Sequence, residues 1–217
     1  MNRIPCILAL GCVLLASQLT GCKSVEPYDY SRYRLHPPRS IAVLPPLNES
    51  AVVAATYSYL SKLSAPLAEH GFYVFPVMVM DDLLKENGMP TPGEMHQVPL
   101  AKMAEITGAD AVLFVTVQRY GPQYRLLNTS VQLEVAARLV DTRTETLLWE
   151  GHAAAQSNSY SLDDPVSSLI SAAAAQIVAS KTDTAHQLSD QVNFMLFHHV
   201  QTGLPYGPYR PEYIPLP

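Results

Sequence analysis

The chain has 217 residues and three cysteines, and its 14 basic and 19 acidic side chains give a formal net charge of −5. No basic cluster accompanies this charge, which excludes the electrostatic footprint of a nucleic-acid-binding protein. The glycines form neither a GxGxxG nor a GxxxxGK(S/T) pattern, so a phosphate-binding loop is not expected. We predict no nucleic-acid partner and no cofactor.

The N-terminus has the layout of a bacterial signal peptide. Arg3 precedes a run without charged residues, 4–19, and LTGC at positions 19–22 closes it. An apolar run of about 16 residues is short for a membrane span, which needs roughly 20. We therefore predict that residues 1–21 are removed. Cys6 and Cys12 are removed with this signal peptide, so we expect no internal disulfide and no thiolate metal site in the mature chain.

The LTGC sequence resembles the lipobox of bacterial lipoproteins. The resemblance implies that Cys22 becomes the first mature residue and that its thiol carries a diacylglyceryl group, with acyl chains such as palmitate. At about 0.8 kcal/mol per buried CH₂, two or three chains form a lasting anchor. Lys23 stands where inner-membrane lipoproteins of this kind usually have Asp. We therefore expect the outer membrane, on its periplasmic face or at the cell surface.

Residues 22–217 are enough for one domain with its own core. Residues 22–39 are polar and rich in Tyr and Pro, which predicts an extended tether with a reach of at most about 60 Å. A single α/β domain is expected over residues 40–200. A Pro- and Tyr-rich tail follows over residues 201–217, for which disorder and an extended docking peptide both stay open.

The first half of the domain alternates strands and helices. Strands are expected at 40–44, 71–77 and 109–118, and helices at 51–69, 80–89 and 100–107, with a loop over 91–99. Asn48 or Ser50 is a candidate N-cap of the first helix, and Gly71 follows its end. Pro66 should kink this helix, because it lacks the N–H of an interior residue.

The second half begins with a hairpin. Residues 131–140 alternate apolar and polar side chains, residues 141–144 form a turn, and residues 146–155 return as an antiparallel strand, with Trp149 as a core anchor. A long helix opens at Asp163 or Asp164 and continues to Asn193. The predicted fold class is α/β, a mixed sheet flanked by helices, with a C-terminal β-hairpin and long helix.

Several stretches of this sequence, IAVLPPLNES, ITGADAVLFVTVQRYG and ARLVDTRTETLLWEG among them, resemble a family of outer-membrane lipoproteins. A genome-derived neisserial surface antigen typifies that family, whose function is unknown. The resemblance covers about residues 40–193. It implies a compact domain similar to the N-terminal domain of TolB and to LpoB, a lipoprotein activator of a peptidoglycan synthase. No catalytic residue of the family is known that could be transferred to this chain.

Few residues have the spacing of a catalytic or metal site. The seven histidines form no HExxH motif and are interpreted as surface or tail residues, so no metal is expected. Asp81 and Asp82 are a candidate acid/base pair, but charges at the N-terminus of a short helix are the favoured interpretation. Glu134 and Arg138 are a candidate surface ion pair. No catalytic residue is assigned.

The loop after the first strand is the main candidate for a ligand or partner site. Pro45, Pro46, Asn48 and Glu49 lie at the carboxyl end of that strand, where open α/β sheets commonly bind ligands. The alternative is a rigid turn between strand and helix.

The sequence thus favours a non-enzymatic interaction or assembly module of the cell envelope, held at the outer membrane through Cys22. A transport or export system is one candidate client. The expected partner is another envelope protein, or a second copy of the chain in a homo-oligomer. Two alternatives are an LpoB-like regulator of peptidoglycan synthesis and, ranked last, an envelope hydrolase or small-ligand binder that uses the loop after the first strand.

Overall fold

A computed structural model describes residues 28–124, 129–159 and 181–211. Its centre is one mixed sheet in which the strands follow the order β3-β1-β4-β5-β6, with β2 beside β4. The strands are β1 Ser40–Val43, β2 Leu47–Asn48, β3 Tyr73–Val74, β4 Ala111–Tyr124, β5 Thr129–Asp141 and β6 Leu147–Ser159. The predicted fold class, a mixed sheet flanked by helices, is confirmed.

Seven helices are present in the described residues. They are α1 Ser31–Leu35, α2 Ala55–Leu60, α3 Ser64–Glu69, α4 Val77–Glu86, α5 Pro92–Met95, α6 Leu100–Thr107 and α7 Lys181–His198. The predicted start of the last helix at Asp163 or Asp164 lies outside the described residues. In the part of the chain that the structure describes, no helix is both long enough and apolar enough to cross a membrane.

The first three long-range pairings of the sheet are parallel. β1 pairs with β3 on one side and β4 on the other, and β2 continues beside β4. Ile41, Ala42 and Val43 are all fully buried. A run of consecutive apolar residues is expected of a parallel strand that is covered on both faces.

The second half of the sheet is an antiparallel meander of three long strands, β4, β5 and β6. The alternation predicted for residues 131–140 is confirmed, because Val131, Leu133, Val135, Ala137 and Leu139 all face the core. The turn after β5 is held by the Asp141 carboxylate, which accepts hydrogen bonds from the backbone N–H groups of Arg143 and Thr144.

Two cores lie on opposite faces of the sheet. The larger one packs α2, α3 and α7 on the meander and includes Trp149, as predicted. The smaller one lies under α4, α5 and α6, and covers only β1 and the beginning of β4. Over β5 and β6 the second face instead carries polar residues such as Glu134 and His152. The fold is therefore three layers thick at one end of the sheet and two layers thick at the other.

The helix predicted over residues 51–69 is two helices, α2 and α3, separated at residues 61–63. Pro66 is the third residue of α3. Because N–H groups in the first turn have no partner within the helix, proline is tolerated there, and the chain breaks before Pro66 instead of kinking at it. The loop predicted over residues 91–99 contains the short α5, which begins with a capping box between Thr91 and Glu94.

The extended tether predicted for residues 22–39 is wrong for residues 28–39. This segment contains α1, and Tyr33 is buried in the larger core. The Tyr30 hydroxyl donates to the Gly203 carbonyl at 2.6 Å, and the Tyr28 hydroxyl accepts from the Glu150 backbone N–H at 2.9 Å. The aromatic side chains that suggested a polar linker are the groups that attach this segment to the domain.

The C-terminal segment also packs on the domain, which excludes disorder, one of the two alternatives left open for the tail, over residues 203–210. Leu204 is buried. The backbone N–H groups of Gly207 and Tyr209 donate to the carbonyls of His70 and Gly71 at 2.9 and 3.0 Å. Gly207 is required for this approach, because a Cβ atom there would overlap the Gly71 carbonyl. Residues 212–217 lie outside the described residues.

Candidate functional site

The loop after β1 is closed against the protein. Pro45 and Pro46 are buried and have no backbone N–H, so their carbonyls are the polar backbone groups that need partners. The Pro45 carbonyl accepts from His96 Nε2 at 2.9 Å, and the Pro46 carbonyl accepts from the Thr56 hydroxyl at 3.2 Å. Both groups are thus satisfied within the domain.

Asn48 organises the turn that follows, but it does not cap a helix. Its Oδ1 accepts from the Ser50 backbone N–H at 2.9 Å, and its Nδ2 donates to the Val52 carbonyl at 2.9 Å. The N-cap of α2 is Ala54, without a side-chain bond, so the predicted capping by Asn48 or Ser50 is wrong. The Glu49 side chain is exposed, while its N–H donates to the Val117 carbonyl. This geometry matches a rigid turn, and ligand binding at these four residues stays a prediction.

His96 supports this turn from below. Its ring meets Phe114 edge to face, with 5.3 Å between the ring centroids. Since a carbonyl can only accept a hydrogen bond, the proton of the neutral ring lies on Nε2, facing Pro45. Burial lowers the pKa of His96 from its ordinary value. The His96 ring is therefore uncharged at pH 7 and holds the loop through its hydrogen bond to the Pro45 carbonyl.

The structure places the carboxylate pair of Asp81 and Asp82 differently from both interpretations that the sequence suggested. α4 begins at Val77, so Asp81 and Asp82 lie in the middle of the helix, and the expectation of N-terminal charges is wrong. Asp81 is fully buried and accepts from Lys85 Nζ at 2.6 Å, one turn further along, while the Tyr57 hydroxyl lies 3.5 Å away. This arrangement ties α2 to α4, and Asp81 has the contacts of a structural residue.

His70 is an exception to the prediction of surface histidines, because only 1% of it is exposed. It lies against His198, the last residue of α7, with 5.0 Å between the ring centroids. The Nδ1 atoms of both rings are buried without a hydrogen-bond partner. Among residues 28–124, 129–159 and 181–211, no three His, Cys, Asp or Glu side chains converge as metal ligands would.

The predicted pair of Glu134 and Arg138 is wrong. Glu134 bonds instead to Arg119 and His152 on the two neighbouring strands, at 3.2 and 3.0 Å. The Arg138 guanidinium lies over the Phe114 ring. Because side chains opposite each other on adjacent strands are closer than residues four apart on one strand, the cross-strand pair forms.

An apolar groove lies at the C-terminal end of α7, and the sequence did not reveal it. We call it the α7 groove; it has a volume of about 400 Å³ and is lined by Phe194, Met195, His198, His199, Val200 and Gln201. Phe194 is 64% exposed and Val200 is 99% exposed. Helical periodicity could not have shown it, because it does not reveal where a helix projects past its neighbours.

The second surface is the outer edge of β6. β6 ends the strand order, so no described strand pairs with this edge. The Glu150 N–H on this edge bonds to Tyr28, as described above, and backbone groups two residues apart point the same way along a strand. The N–H groups of His152 and Ala154 therefore point outward beyond the segment that Tyr28 covers. We call residues 151–155 the open β6 edge.

The lipid-attachment site predicted at Cys22 lies outside the described residues. The described chain begins at Tyr28, which leaves a short connection between the proposed anchor and the folded domain.

These features define a class of single-sheet α/β domain in which a three-stranded antiparallel meander extends a short parallel sheet. The model of the family described as "Putative lipoprotein GNA1162-like" matches residues 28–209, and this chain belongs to that family. A relative named "Putative lipoprotein NMB1124/NMB1162", from Neisseria meningitidis serogroup B, is 37% identical over 206 residues, which cover 94% of this chain and 95% of the relative.

A solved structure at 42% identity shows the same fold. The crystal structure of lipoprotein GNA1162 from Neisseria meningitidis is 42% identical to this chain, with a TM-score of 0.54. The match covers 66% of this chain and 100% of the GNA1162 chain. The LpoB C-terminal domain from Salmonella enterica is similar at 17% identity and a TM-score of 0.41, covering 67% of this chain and 94% of that domain. The predicted resemblance to the neisserial lipoprotein family is confirmed by the family model and by the 37% identical relative.

Proposed function

We propose that this lipoprotein is held at the outer membrane through an acylated Cys22 and is a non-enzymatic assembly module of the cell envelope. In this proposal two copies join through the open β6 edge, and the joined domains present a surface to other envelope proteins. The observation that carries the proposal is the outer edge of β6, with which no strand of the described residues pairs.

Edge strands of soluble proteins are usually protected, because their unpaired N–H and C=O groups are a template for another strand. Lysine, proline, other charges and bulges are the common forms of protection. The open β6 edge, GHAAA, and the residues that follow it in β6, QSNS, contain no Lys, Arg, Asp, Glu or Pro. Its pairing with β5 is regular from Trp149 to Ser159, so no bulge turns the edge away.

The chemistry of this edge suits a second copy of itself. Two β6 strands related by a twofold axis pair in antiparallel orientation, so every contact occurs twice. The absence of charged side chains from residues 151–159 removes the like-charge repulsion that such self-pairing would otherwise create. Small alanines at 153–155 also let the backbones approach without steric conflict.

The position of the anchor limits which partners the domain can reach. Between Cys22 and Tyr28 the chain extends at most about 22 Å, at roughly 3.3 to 3.6 Å per residue. This is far shorter than the 60 Å predicted when residues 22–39 were taken as a tether. The short reach favours partners near the anchoring membrane over an LpoB-like role at an inner-membrane synthase.

The closed loop after β1 favours an interaction module over a ligand-binding enzyme. Its proline carbonyls and its asparagine side chain all bond within the domain. A small ligand would have to displace these bonds to use the same groups.

The test is the oligomeric state of the acylated protein in detergent micelles, measured by sedimentation with correction for bound detergent. Ala154→Pro removes an outward N–H and is tolerated on an edge strand, whereas the matched control Ala154→Val keeps it. We expect wild type and Ala154→Val to form dimers and Ala154→Pro to be monomeric. Circular dichroism should show the same fold for all three. A monomeric wild type, or a dimer that survives Ala154→Pro, refutes pairing through β6.

A further inference from the structure

We infer that the α7 groove lies against the phospholipid surface of the membrane that carries the anchor. The inference deepens the proposed function and rests on acylation of Cys22. It assigns the occupant of the groove as lipid, namely the headgroup and upper acyl region of the bilayer.

The length of chain before the described domain restricts how the domain can be oriented. A domain of this size is roughly 40 Å across, and Tyr28 can be no more than about 22 Å from the lipid-modified residue. If Tyr28 were on the far side of the domain, this connection could not reach the membrane. Tyr28 must therefore lie in the half of the domain that faces the lipid.

Hydrogen bonds connect this N-terminal segment directly to the rim of the α7 groove. The Tyr30 hydroxyl donates to the Gly203 carbonyl and lies 3.4 Å from the carbonyl of Gln201, which lines the groove. The rings of Tyr28 and Tyr30 are in contact, with centroids 4.7 Å apart. The groove is thus adjacent to the point where the tether leaves the domain, and it shares the membrane-facing half.

The exposed side chains in this region suit an interfacial location. Phe194 in the C-terminal part of α7 and Val200 just after the helix present apolar surface, and Leu35 at the end of α1 is also largely exposed. Arg32 and Arg34, on the same short helix as Leu35, are exposed. Apolar side chains that enter the boundary of the acyl region, with arginines at the level of the phosphates, are the composition of a surface-binding element.

A pair of exposed valines allows a matched test. Val200 follows α7, whereas Val53, 91% exposed, precedes α2. Ser58 contacts His186 and Lys62 contacts Asp190, so α2 runs parallel to α7 and Val53 lies toward the opposite end of α7. At 1.5 Å per residue, His186 and His198 are about 18 Å apart along the helix. Val200→Cys and Val53→Cys therefore sample opposite ends of the domain.

The mature chain has no cysteine except Cys22, whose thiol is occupied by lipid in this proposal, so each new thiol can be labelled alone. The acylated variants, each carrying a fluorophore, are reconstituted into phosphatidylethanolamine–phosphatidylglycerol vesicles, with or without lipid bearing a nitroxide on its acyl chain. A label about 5 to 10 Å into the interface should lose roughly half of its emission. We expect this twofold loss at position 200 and no loss at position 53.

The alternatives give different results. If neither label is quenched although the protein floats with the vesicles, the groove does not contact lipid and the inference is wrong. If position 200 is shielded from aqueous iodide but is not quenched by the nitroxide lipid, another copy of the chain covers the groove, which also overturns the inference. If the protein does not float with the vesicles at all, the proposed anchor fails, and the inference fails with it.

Discussion

The buried His70 predicts a specific pH dependence of stability. Its Nε2 donates to the Leu204 carbonyl and thereby holds the C-terminal segment, while its Nδ1 is buried without a partner. Burial lowers the pKa of His70 to about 4, and the nearby His198 and Arg210 act in the same direction, although the bond to Leu204 opposes them. Protonation of His70 would place a second positive charge beside that of Arg210.

The magnitude follows from linkage between protonation and folding. In the unfolded chain a histidine has a pKa of about 6.5, so the stabilising contribution is complete above that pH. Below it the unfolded state binds a proton that the folded state does not, and stability falls until the pH has passed through about 4. Between pH 7 and pH 5 the free energy of unfolding should decrease by about 2 kcal/mol. A domain of this size would lose about 4 to 8 °C in Tm.

Thermal unfolding of the acylated protein in micelles, followed by circular dichroism at pH 7 and pH 5, measures this decrease. The control is His70→Gln, which keeps an N–H for the Leu204 carbonyl but does not titrate. We expect the variant to lack the decrease assigned to His70, while contributions from His96 and the carboxylates are common to both proteins and cancel. Equal pH dependence in the two proteins would refute a neutral, buried His70.

Three further predictions concern packing and the anchor. Trp149→Ala should reduce the free energy of unfolding, measured in urea, by about 3 to 5 kcal/mol, because the ring is fully buried and its Nε1 donates to the Thr202 carbonyl at 2.8 Å. A loss below about 1 kcal/mol would contradict this packing. Gly207→Ala should lower the free energy of unfolding by about 1 to 3 kcal/mol, since the added Cβ would overlap the backbone of Gly71. Unchanged stability, together with unchanged protection of the C-terminal segment from proteolysis, would contradict that contact. Cys22→Ser should abolish incorporation of radiolabelled palmitate in cells, and labelling that persists would exclude Cys22 as the acylated residue.

Local sequence patterns predicted the elements whose burial depends on near neighbours in the chain. The alternation over residues 131–139 identified the inward face of β5, because each strand residue points opposite to the next. Gly108 directly follows the helix predicted at 100–107, and it adopts the left-handed conformation that favours glycine. Trp149, predicted as the core anchor of the hairpin, is likewise fully buried.

The same local patterns could not predict contacts between segments that are far apart in the chain. Tyr33 and Leu204 stand in Pro- and Tyr-rich segments that look like linkers, and both are buried because segments far away in the chain cover them. His70 was taken for a surface residue for the same reason, since its neighbours His198 and Tyr206 are more than a hundred positions away. The candidate loop at Pro45 and Pro46 could be located, but the bonds that close it come from helices whose placement the sequence does not specify.

In the proposed membrane-anchored arrangement, the docked N-terminal segment sets the two proposed surfaces at different levels above the membrane. Tyr28 covers the edge of β6 at Glu150, near the start of the strand, and Tyr30 bonds to the turn after α7. The membrane-facing end of the edge is therefore occupied by the chain itself. From there β6 runs on toward Ser159 at about 3.3 Å per residue. Its open part thus begins next to the Tyr28 contact and extends to about 17 Å beyond it, where a second anchored copy could pair while the α7 groove of each copy stays on the lipid.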